Sequence, residues 1–211
     1  MKLNEMIEHT LLKSNANETT LKKLCDEAVE NGFFGVCVNP LYVKFCHDYL
    51  KGKNVKVVTV IGFPLGENKT ETKVFEAKAA VSDGADEVDM VIAVSKLKSG
   101  DYDYVRNDIK AVKDATGVTL KVILETATLT DGEIVKACEL AEEAGADFVK
   151  TSTGFVGGGA SIEAVRIMKK TVGDRLGVKA SGGIRDKDFA SELVKAGATR
   201  LGTSSGVDIC K

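Results

Sequence analysis

Two lysines stand at the ends of short apolar segments, where a primary amine could act as a nucleophile. Lys150 follows Phe148 and Val149, which are typical of a short buried strand, and precedes a Thr-Ser-Thr-Gly loop. Lys179 has a similar place ahead of an Ala-Ser-Gly-Gly loop. Most lysines are solvated, but burial disfavours the ammonium form, and two lysines facing one pocket favour each other's deprotonation. The pair indicates an enzyme that forms an imine with a carbonyl compound.

An internal repeat surrounds Lys150. Four segments share a helix end, a glycine suited to a left-handed helix terminus and a short apolar strand; the glycines are Gly32, Gly84, Gly145 and Gly197. Five residues after each glycine come positions that we expect at one level of four strands, namely Cys37, Asp89, Lys150 and Gly202. Asp89 could be an exposed loop carboxylate or a helix N-cap, but its register with Lys150 favours a catalytic role.

The remaining strands and helices predict the fold. Further strand-like segments at 8–12, 55–61, 119–125 and 176–179 bring the total to eight. Helix starts are predicted at the polar residues Asn17, Thr130, Ser161 and Asp186, with a capping box between Thr130 and Glu133. Alternating strands and helices indicate parallel strands, and eight units indicate one (β/α)8 barrel domain over residues 1–211. The alternative, an open doubly wound sheet, would need a glycine-rich first turn that the sequence lacks.

A barrel of this kind would bring the charged residues to one mouth. Barrel enzymes carry their chemistry at the carboxyl ends of the strands. On this count Asp89 ends strand 4, Lys150 ends strand 6 and Lys179 ends strand 7. Glu125 ends strand 5, where it would either orient this network or form a surface salt bridge.

Two glycine-containing loops indicate a phosphate site. Ser-Gly-Gly at 181–183 follows strand 7, and Gly-Thr-Ser-Ser-Gly at 202–206 follows strand 8. Glycines let backbone N–H groups approach phosphate oxygens, and barrels commonly bind phosphate at these two loops. A phosphorylated ligand is therefore favoured.

Composition excludes several other classes of protein. The formal net charge of −2 gives no basic surface for nucleic acid. No apolar run is long enough to span a membrane, and the N-terminus lacks a signal-peptide core. An odd number of cysteines without Cys-x-x-Cys spacing predicts reduced thiols in the cytoplasm, and two distant histidines do not predict a metal site. We expect no metal or cofactor. No interface pattern decides for or against a homodimer.

The motifs together resemble the deoxyribose-phosphate aldolase family of class I, Schiff-base aldolases. The matching stretches span nearly the whole chain and are 8–12, 87–91, 121–126, 148–154, 178–185 and 202–205. The most specific of them are the Lys-Thr-Ser-Thr-Gly and Lys-Ala-Ser-Gly-Gly motifs. The resemblance implies reversible cleavage of 2-deoxyribose 5-phosphate to glyceraldehyde 3-phosphate and acetaldehyde, a step of deoxyribonucleotide catabolism.

The resemblance also implies a role for each matching residue. Lys150 forms the Schiff base, while Lys179 and Asp89 relay protons. The substrate and its phosphate are expected to contact Thr10, Cys37, Gly154, Gly182, Gly183, Gly202, Ser204 and Ser205. We expect Cys37 to form a pocket wall rather than act as a nucleophile, since a free cysteine usually behaves as a small apolar residue.

Three positions depart from the family pattern. Glu8 stands where an aspartate is common, and Phe155 stands where some members carry a lysine, so phosphate binding should depend more on backbone donors. The chain ends at Lys211 without the tyrosine-ending tail of some members. Two other readings stay open: a phosphosugar isomerase or lyase that uses Asp89 or Glu125 as a base, and a non-enzymatic phosphometabolite-binding protein.

Overall fold

Eight parallel strands close into a barrel in the computed structural model, which describes residues 2–211. Each strand pairs with the next one in the chain, and β8 pairs with β1 through Glu8 and Gly202. The strands are β1 Ile7–Leu11, β2 Gly35–Val38, β3 Lys56–Ile61, β4 Glu87–Val91, β5 Thr119–Ile123, β6 Phe148–Lys150, β7 Gly177–Ser181 and β8 Arg200–Thr203. The predicted (β/α)8 barrel is confirmed, and the open sheet is wrong.

Helices connect the strands around the outside of the barrel. They are α1 Glu18–Glu30, α2 Val43–Tyr49, α3 Thr70–Ser82, α4 Val94–Lys98, α5 Tyr102–Thr116, α6 Asp131–Glu143, α7 Ile162–Val172, α8 Lys187–Ala196 and α9 Gly206–Cys210, with short 3-10 turns at Asn4–Met6, Pro40–Tyr42 and Thr126–Thr128. Within residues 2–211, none of the helices combines the length and apolar character that a membrane span requires.

The predicted local signals are present at the helix ends. Asn17, Thr130, Ser161 and Asp186 each accept a hydrogen bond from a backbone N–H in the first turn of α1, α6, α7 and α8, and the capping box of Thr130 is complete. The repeat glycines adopt positive φ, at 62° for Gly32, 104° for Gly84, 80° for Gly145 and 121° for Gly197. Their shared conformation gives the four repeats one register.

Two strands are longer than predicted. Pairing continues past Asp89 to Val91 in β4, and past Lys179 to Ser181 in β7. Asp89 and Lys179 therefore lie in the middle of their strands rather than at the ends, whereas Lys150 does end β6. The inward alternation of side chains places both residues below the barrel mouth.

Apolar side chains separate into two layers. Most of the core fills the space between the strands and the helices. A smaller cluster of Leu12, Cys37, Val58 and Val60 consists of inward-facing positions near β2 and β3, with Phe63 packed against it. One side of the barrel interior is therefore apolar.

A buried ion pair joins α3 and α5 to the end of β4. Lys73 Nζ donates to Asp108 Oδ2 at 2.6 Å and to the carbonyl oxygen of Val91 at 3.1 Å. The Thr70 hydroxyl donates to Asp108 Oδ1 at 2.8 Å. Both charged side chains are fully buried, so each depends on the other for compensation.

We predict that Asp108→Ala lowers the free energy of unfolding by about 3–5 kcal/mol, because it leaves the Lys73 ammonium buried without its counterion. Asp114→Ala on the same helix is the control, since Asp114 forms an exposed pair with Lys110 and its loss should cost less than about 1 kcal/mol. Denaturant unfolding measures both changes. Equal effects of the two substitutions would contradict the assignment.

Candidate active site

Lys150 lies where a buried charge network meets the open mouth of the barrel. The residue ends β6 and its side chain lines the mouth cavity, yet only 3% of the residue is exposed. Its Nζ donates to Asp89 Oδ2 at 2.8 Å. The amine is therefore hydrogen-bonded to a buried carboxylate and faces the cavity.

Asp89 is the centre of the network. Its Oδ2 accepts from Lys150 and, at 2.6 Å, from Lys179 Nζ, while its Oδ1 accepts from Lys121 Nζ at 2.9 Å. Lys179 also donates to Glu8 on β1. The structure thus brings the three predicted catalytic residues into direct contact.

The charges of this network stabilise one another. Burial opposes ionisation of Asp89, but the ammonium groups of Lys121, Lys150 and Lys179 outweigh it and hold the pKa of Asp89 well below its ordinary value. Burial likewise opposes the charge of Lys179, but Asp89 and Glu8 raise its pKa. The expectation that the two lysines would deprotonate each other therefore fails for Lys179, because two carboxylates surround it.

A deeper layer completes the network and is not predicted from the sequence. Lys121 Nζ contacts Glu87 at 2.6 Å and Glu8 at 3.3 Å. Burial opposes the positive charge of Lys121, but its three acidic neighbours outweigh this effect and raise the pKa of Lys121. Arg200 donates to Glu8 at 3.0 Å and to Glu87 at 3.3 Å. The sequence does contain a pattern that indicates Lys121 and Glu8, since each is a charged residue inside an otherwise apolar strand.

The cluster has an uneven charge count. Its basic groups are Lys121, Lys150, Lys179 and Arg200, and its acidic groups are Glu8, Glu87 and Asp89, so full ionisation leaves one net positive charge. Lys150 is the one basic member that lines the cavity. Lys150 is therefore the basic group of the cluster that a molecule in the cavity can contact.

The cavity above Lys150 has a volume of about 650 Å³. Of the residues predicted to bind substrate, those that line it are Thr10, Gly154, Gly182, Gly183, Gly202 and Ser204. Ser205 does not line the cavity; its N–H donates to the Thr203 hydroxyl at 2.9 Å and so helps to form the loop after β8. Lys13, Lys23 and Arg185 also line the cavity, which places basic groups beside the glycine loops.

Cys37 also lies outside the cavity lining. It is buried in the apolar cluster with Val58 and Val60, and burial raises the pKa of its thiol to about 11. Its sulfur lies within 4.8 Å of carboxylate oxygens of Glu8 and Asp89, a grouping that could hold a metal ion by composition. The ammonium of Lys179 already contacts both carboxylates, so the geometry fits an ion-pair network better than a metal centre.

Phe155 forms part of the cavity rim. Its ring packs edge-to-face on Phe63, with centroids 5.2 Å apart, and the residue is 55% exposed. It therefore contributes an apolar surface where a lysine would have contributed a charge.

Comparisons with known proteins agree with this geometry. Residues 5–211 match the model of the DeoC/LacD family aldolases. A deoxyribose-phosphate aldolase of Thermococcus kodakarensis is 60% identical over 96% of this chain and 93% of its own length, and one from Thermoanaerobacter sp. is 57% identical over 99% and 96%. The tetrameric deoxyribose phosphate aldolase structure from Aeropyrum pernix superposes with a TM-score of 0.91 at 34% identity, covering 99% of this chain and 89% of that one.

We predict that iodoacetamide at pH 7.5 labels the partly exposed Cys210 and leaves Cys37 unmodified. With its pKa raised to about 11, only ~0.03% of the Cys37 thiol is ionised at this pH, against ~10% for an ordinary cysteine. Peptide mass mapping measures the labelling, and the unfolded chain, in which all the thiols are accessible, is the control. Equal labelling of Cys37 and Cys210 in the folded protein would contradict the burial of Cys37.

Proposed function

The chain belongs to the DeoC/LacD family of aldolases, and we propose that it reversibly cleaves 2-deoxyribose 5-phosphate to glyceraldehyde 3-phosphate and acetaldehyde. The observation that carries the proposal is the position of Lys150, whose amine faces the cavity while contacting Asp89 at 2.8 Å. An amine in this place can attack a carbonyl group without leaving the charge network that surrounds it.

In the direction of cleavage, neutral Lys150 attacks C1 of the open-chain sugar and the carbinolamine loses water to form a protonated imine. The C3 hydroxyl then loses its proton, the C2–C3 bond breaks, and its electron pair passes to the imine to form an enamine. Glyceraldehyde 3-phosphate leaves. Protonation of the enamine at C2 and hydrolysis of the imine release acetaldehyde and restore Lys150.

Lys179 and Asp89 serve the proton transfers in this proposal. Their contact at 2.6 Å lets a proton pass between them without changing the net charge of the cluster. Because the pKa of Lys179 is raised, its resting form is the ammonium. Lys179 does not line the cavity, so its proton would reach the departing carbinolamine oxygen through Asp89 or water. Asp89 then stabilises the new positive charge on the imine nitrogen of Lys150.

The glycine loops and basic side chains of the cavity lining suit the phosphate group. Gly182 and Gly183 adopt positive φ of 89° and 75°, a conformation that favours glycine and turns successive peptide groups toward a ligand. Lys13, Lys23 and Arg185 supply positive charge to the same cavity. The Phe155 rim is consistent with a phosphate site that depends on backbone donors and on these other basic residues.

The competing isomerase or lyase reading receives less support. A general base near neutral pH needs a carboxylate of raised basicity, but the pKa of Asp89 is held low by its lysine neighbours. Glu125, the other candidate base, forms hydrogen bonds with Thr153 and does not line the cavity. A passive binding protein would not need a nucleophile at the cavity wall.

We also propose a place and an assembly for the enzyme. The reaction would consume a product of deoxyribonucleoside breakdown in the cytoplasm, and it would need no cofactor because the imine supplies the electron sink. The tetrameric relative supports a homo-oligomer, as a dimer or a larger assembly.

We predict that Lys150→Leu abolishes turnover and removes the ethyl adduct that borohydride forms at this residue in the presence of acetaldehyde. Peptide mass mapping after reduction detects the adduct. Lys78→Leu, at an exposed position of α3, is the control and should leave both readouts unchanged. Normal turnover by the Lys150→Leu variant would sink the proposal.

We predict that Lys179→Met moves the acid limb of the kcat/KM–pH profile to higher pH by about one unit. The variant loses a cation beside Lys150 and frees a hydrogen-bonding position on Asp89, and both changes favour the protonated amine of Lys150. Circular dichroism checks that the barrel is folded. An acid limb at the same pH in the folded variant would show that Lys179 is not the electrostatic partner.

A further inference from the structure

Glu125 has an unusual backbone conformation close to the proposed active site. It follows the end of β5 by two residues and adopts φ 59° and ψ 55°. Among residues 2–211 it is the one residue with a side chain beyond Cα at positive φ, a region that favours glycine. Such a conformation persists where surrounding contacts enforce it, and it is frequent at functional sites.

The hydrogen-bond partner of the Glu125 side chain is Thr153. The Glu125 carboxylate is buried, with 2% of the residue exposed, and it accepts the Thr153 N–H on both oxygens at 3.3 Å and the Thr153 hydroxyl on Oε2. The Thr153 oxygen in turn accepts the N–H of Phe155 at 3.1 Å. Glu125 therefore holds the start of the loop that follows β6.

This loop is packed backbone to backbone on the loop that follows β7. The Ala160 N–H donates to the carbonyl oxygen of Gly182 at 2.9 Å. A Cβ atom at Gly159 would lie 2.2 Å from that same oxygen, and one at Gly182 would lie 3.0 Å from the Gly159 Cα. Because there is no space between Gly159 and Gly182, a shift of the first loop would displace Gly182 and, through the chain, its neighbour Gly183.

We propose that Glu125 is a positioning residue for the phosphate end of the substrate, acting through Thr153 on the loops after β6 and β7. Glu125 does not line the cavity, so it acts on the loop rather than on the substrate. This role rests on the proposed aldolase function, because it identifies the part of the substrate that Glu125 serves. Burial raises the pKa of the Glu125 carboxyl, and the hydrogen bonds from Thr153 oppose this effect by stabilising the carboxylate.

The decisive variant is Glu125→Gly, because glycine suits the backbone conformation while the carboxylate is lost. Thr153→Val removes the hydroxyl of the partner with little change in shape. Glu125→Gln keeps one acceptor oxygen and should show a smaller effect than Glu125→Gly. Glu71→Gln, at an exposed position of α3, is the matched control.

We expect Glu125→Gly to raise KM for 2-deoxyribose 5-phosphate and the dissociation constant of inorganic phosphate by roughly 10-fold each, with kcat within about 3-fold. Thr153→Val should change the same quantities in the same direction. The rate at which borohydride traps acetaldehyde on Lys150 should stay within about 2-fold, because acetaldehyde carries no phosphate. Steady-state kinetics, calorimetry with inorganic phosphate and mass mapping provide the three readouts.

Two results would overturn the positioning role: unchanged KM and phosphate affinity in the folded Glu125→Gly variant, or a loss of acetaldehyde trapping as large as the loss of phosphate affinity. Failure of the aldolase proposal has a different signature, which is the absence of any acetaldehyde adduct on the unmodified chain. Inorganic phosphate binding by the variants would still decide the role of Glu125 in that case.

Discussion

The carboxylate of Asp89 is the group on which the interior of this barrel depends. It accepts hydrogen bonds from lysines of three different strands, β5, β6 and β7. Buried ammonium groups are costly unless each has a counterion with good geometry, so Asp89 makes it possible to bury Lys121 and Lys179 completely. The same contacts fix the relative positions of the strands that carry Lys150 and its neighbours. Packing and catalytic geometry therefore depend on one interaction.

The two lysines have different surroundings, which match the roles that we propose for them. Lys179 lies between Asp89 and Glu8, and these two carboxylates outweigh the cost of burial and favour its ammonium form. Lys150 contacts Asp89 alone and reaches the cavity. The unequal number of carboxylate partners supports the nucleophilic role that we propose for Lys150 and the cationic role that we propose for Lys179.

Local patterns predicted the fold well because their causes are local. The repeat glycines report helix ends, and the capping residues report helix starts, so eight units and the register of Asp89 with Lys150 follow from the sequence. Strand length was harder to predict from the sequence. Strands β4 and β7 extend two residues past Asp89 and Lys179, because hydrogen bonding to neighbouring strands, and not the apolar pattern, decides where they end. Contacts between residues far apart in the chain could not be predicted, as with Arg200 and Glu8, which lie 192 positions apart. Cys37 shares the strand register of the site but packs in the apolar cluster of the barrel interior. The periodicity of the sequence cannot distinguish that part of the interior from the part that contains the charged network.

In our proposal, the phosphate part of the cavity depends on backbone conformation, whereas the part that contains Lys150 depends on charge. Gly182 and Gly183 line this part at positive φ, and the absence of side chains at Gly159 and Gly182 lets the two loops pack without a gap. Such a surface has few side chains of its own to hold it in place, so its position must be set by neighbouring groups that are themselves fixed. In our proposal Glu125 supplies this group, since it is buried, bound to Thr153 and held at a positive φ that favours glycine. Strain at Glu125 and the absence of side chains at Gly159 and Gly182 would then act together, and a carboxylate outside the cavity lining would influence how the phosphate end of the substrate is bound.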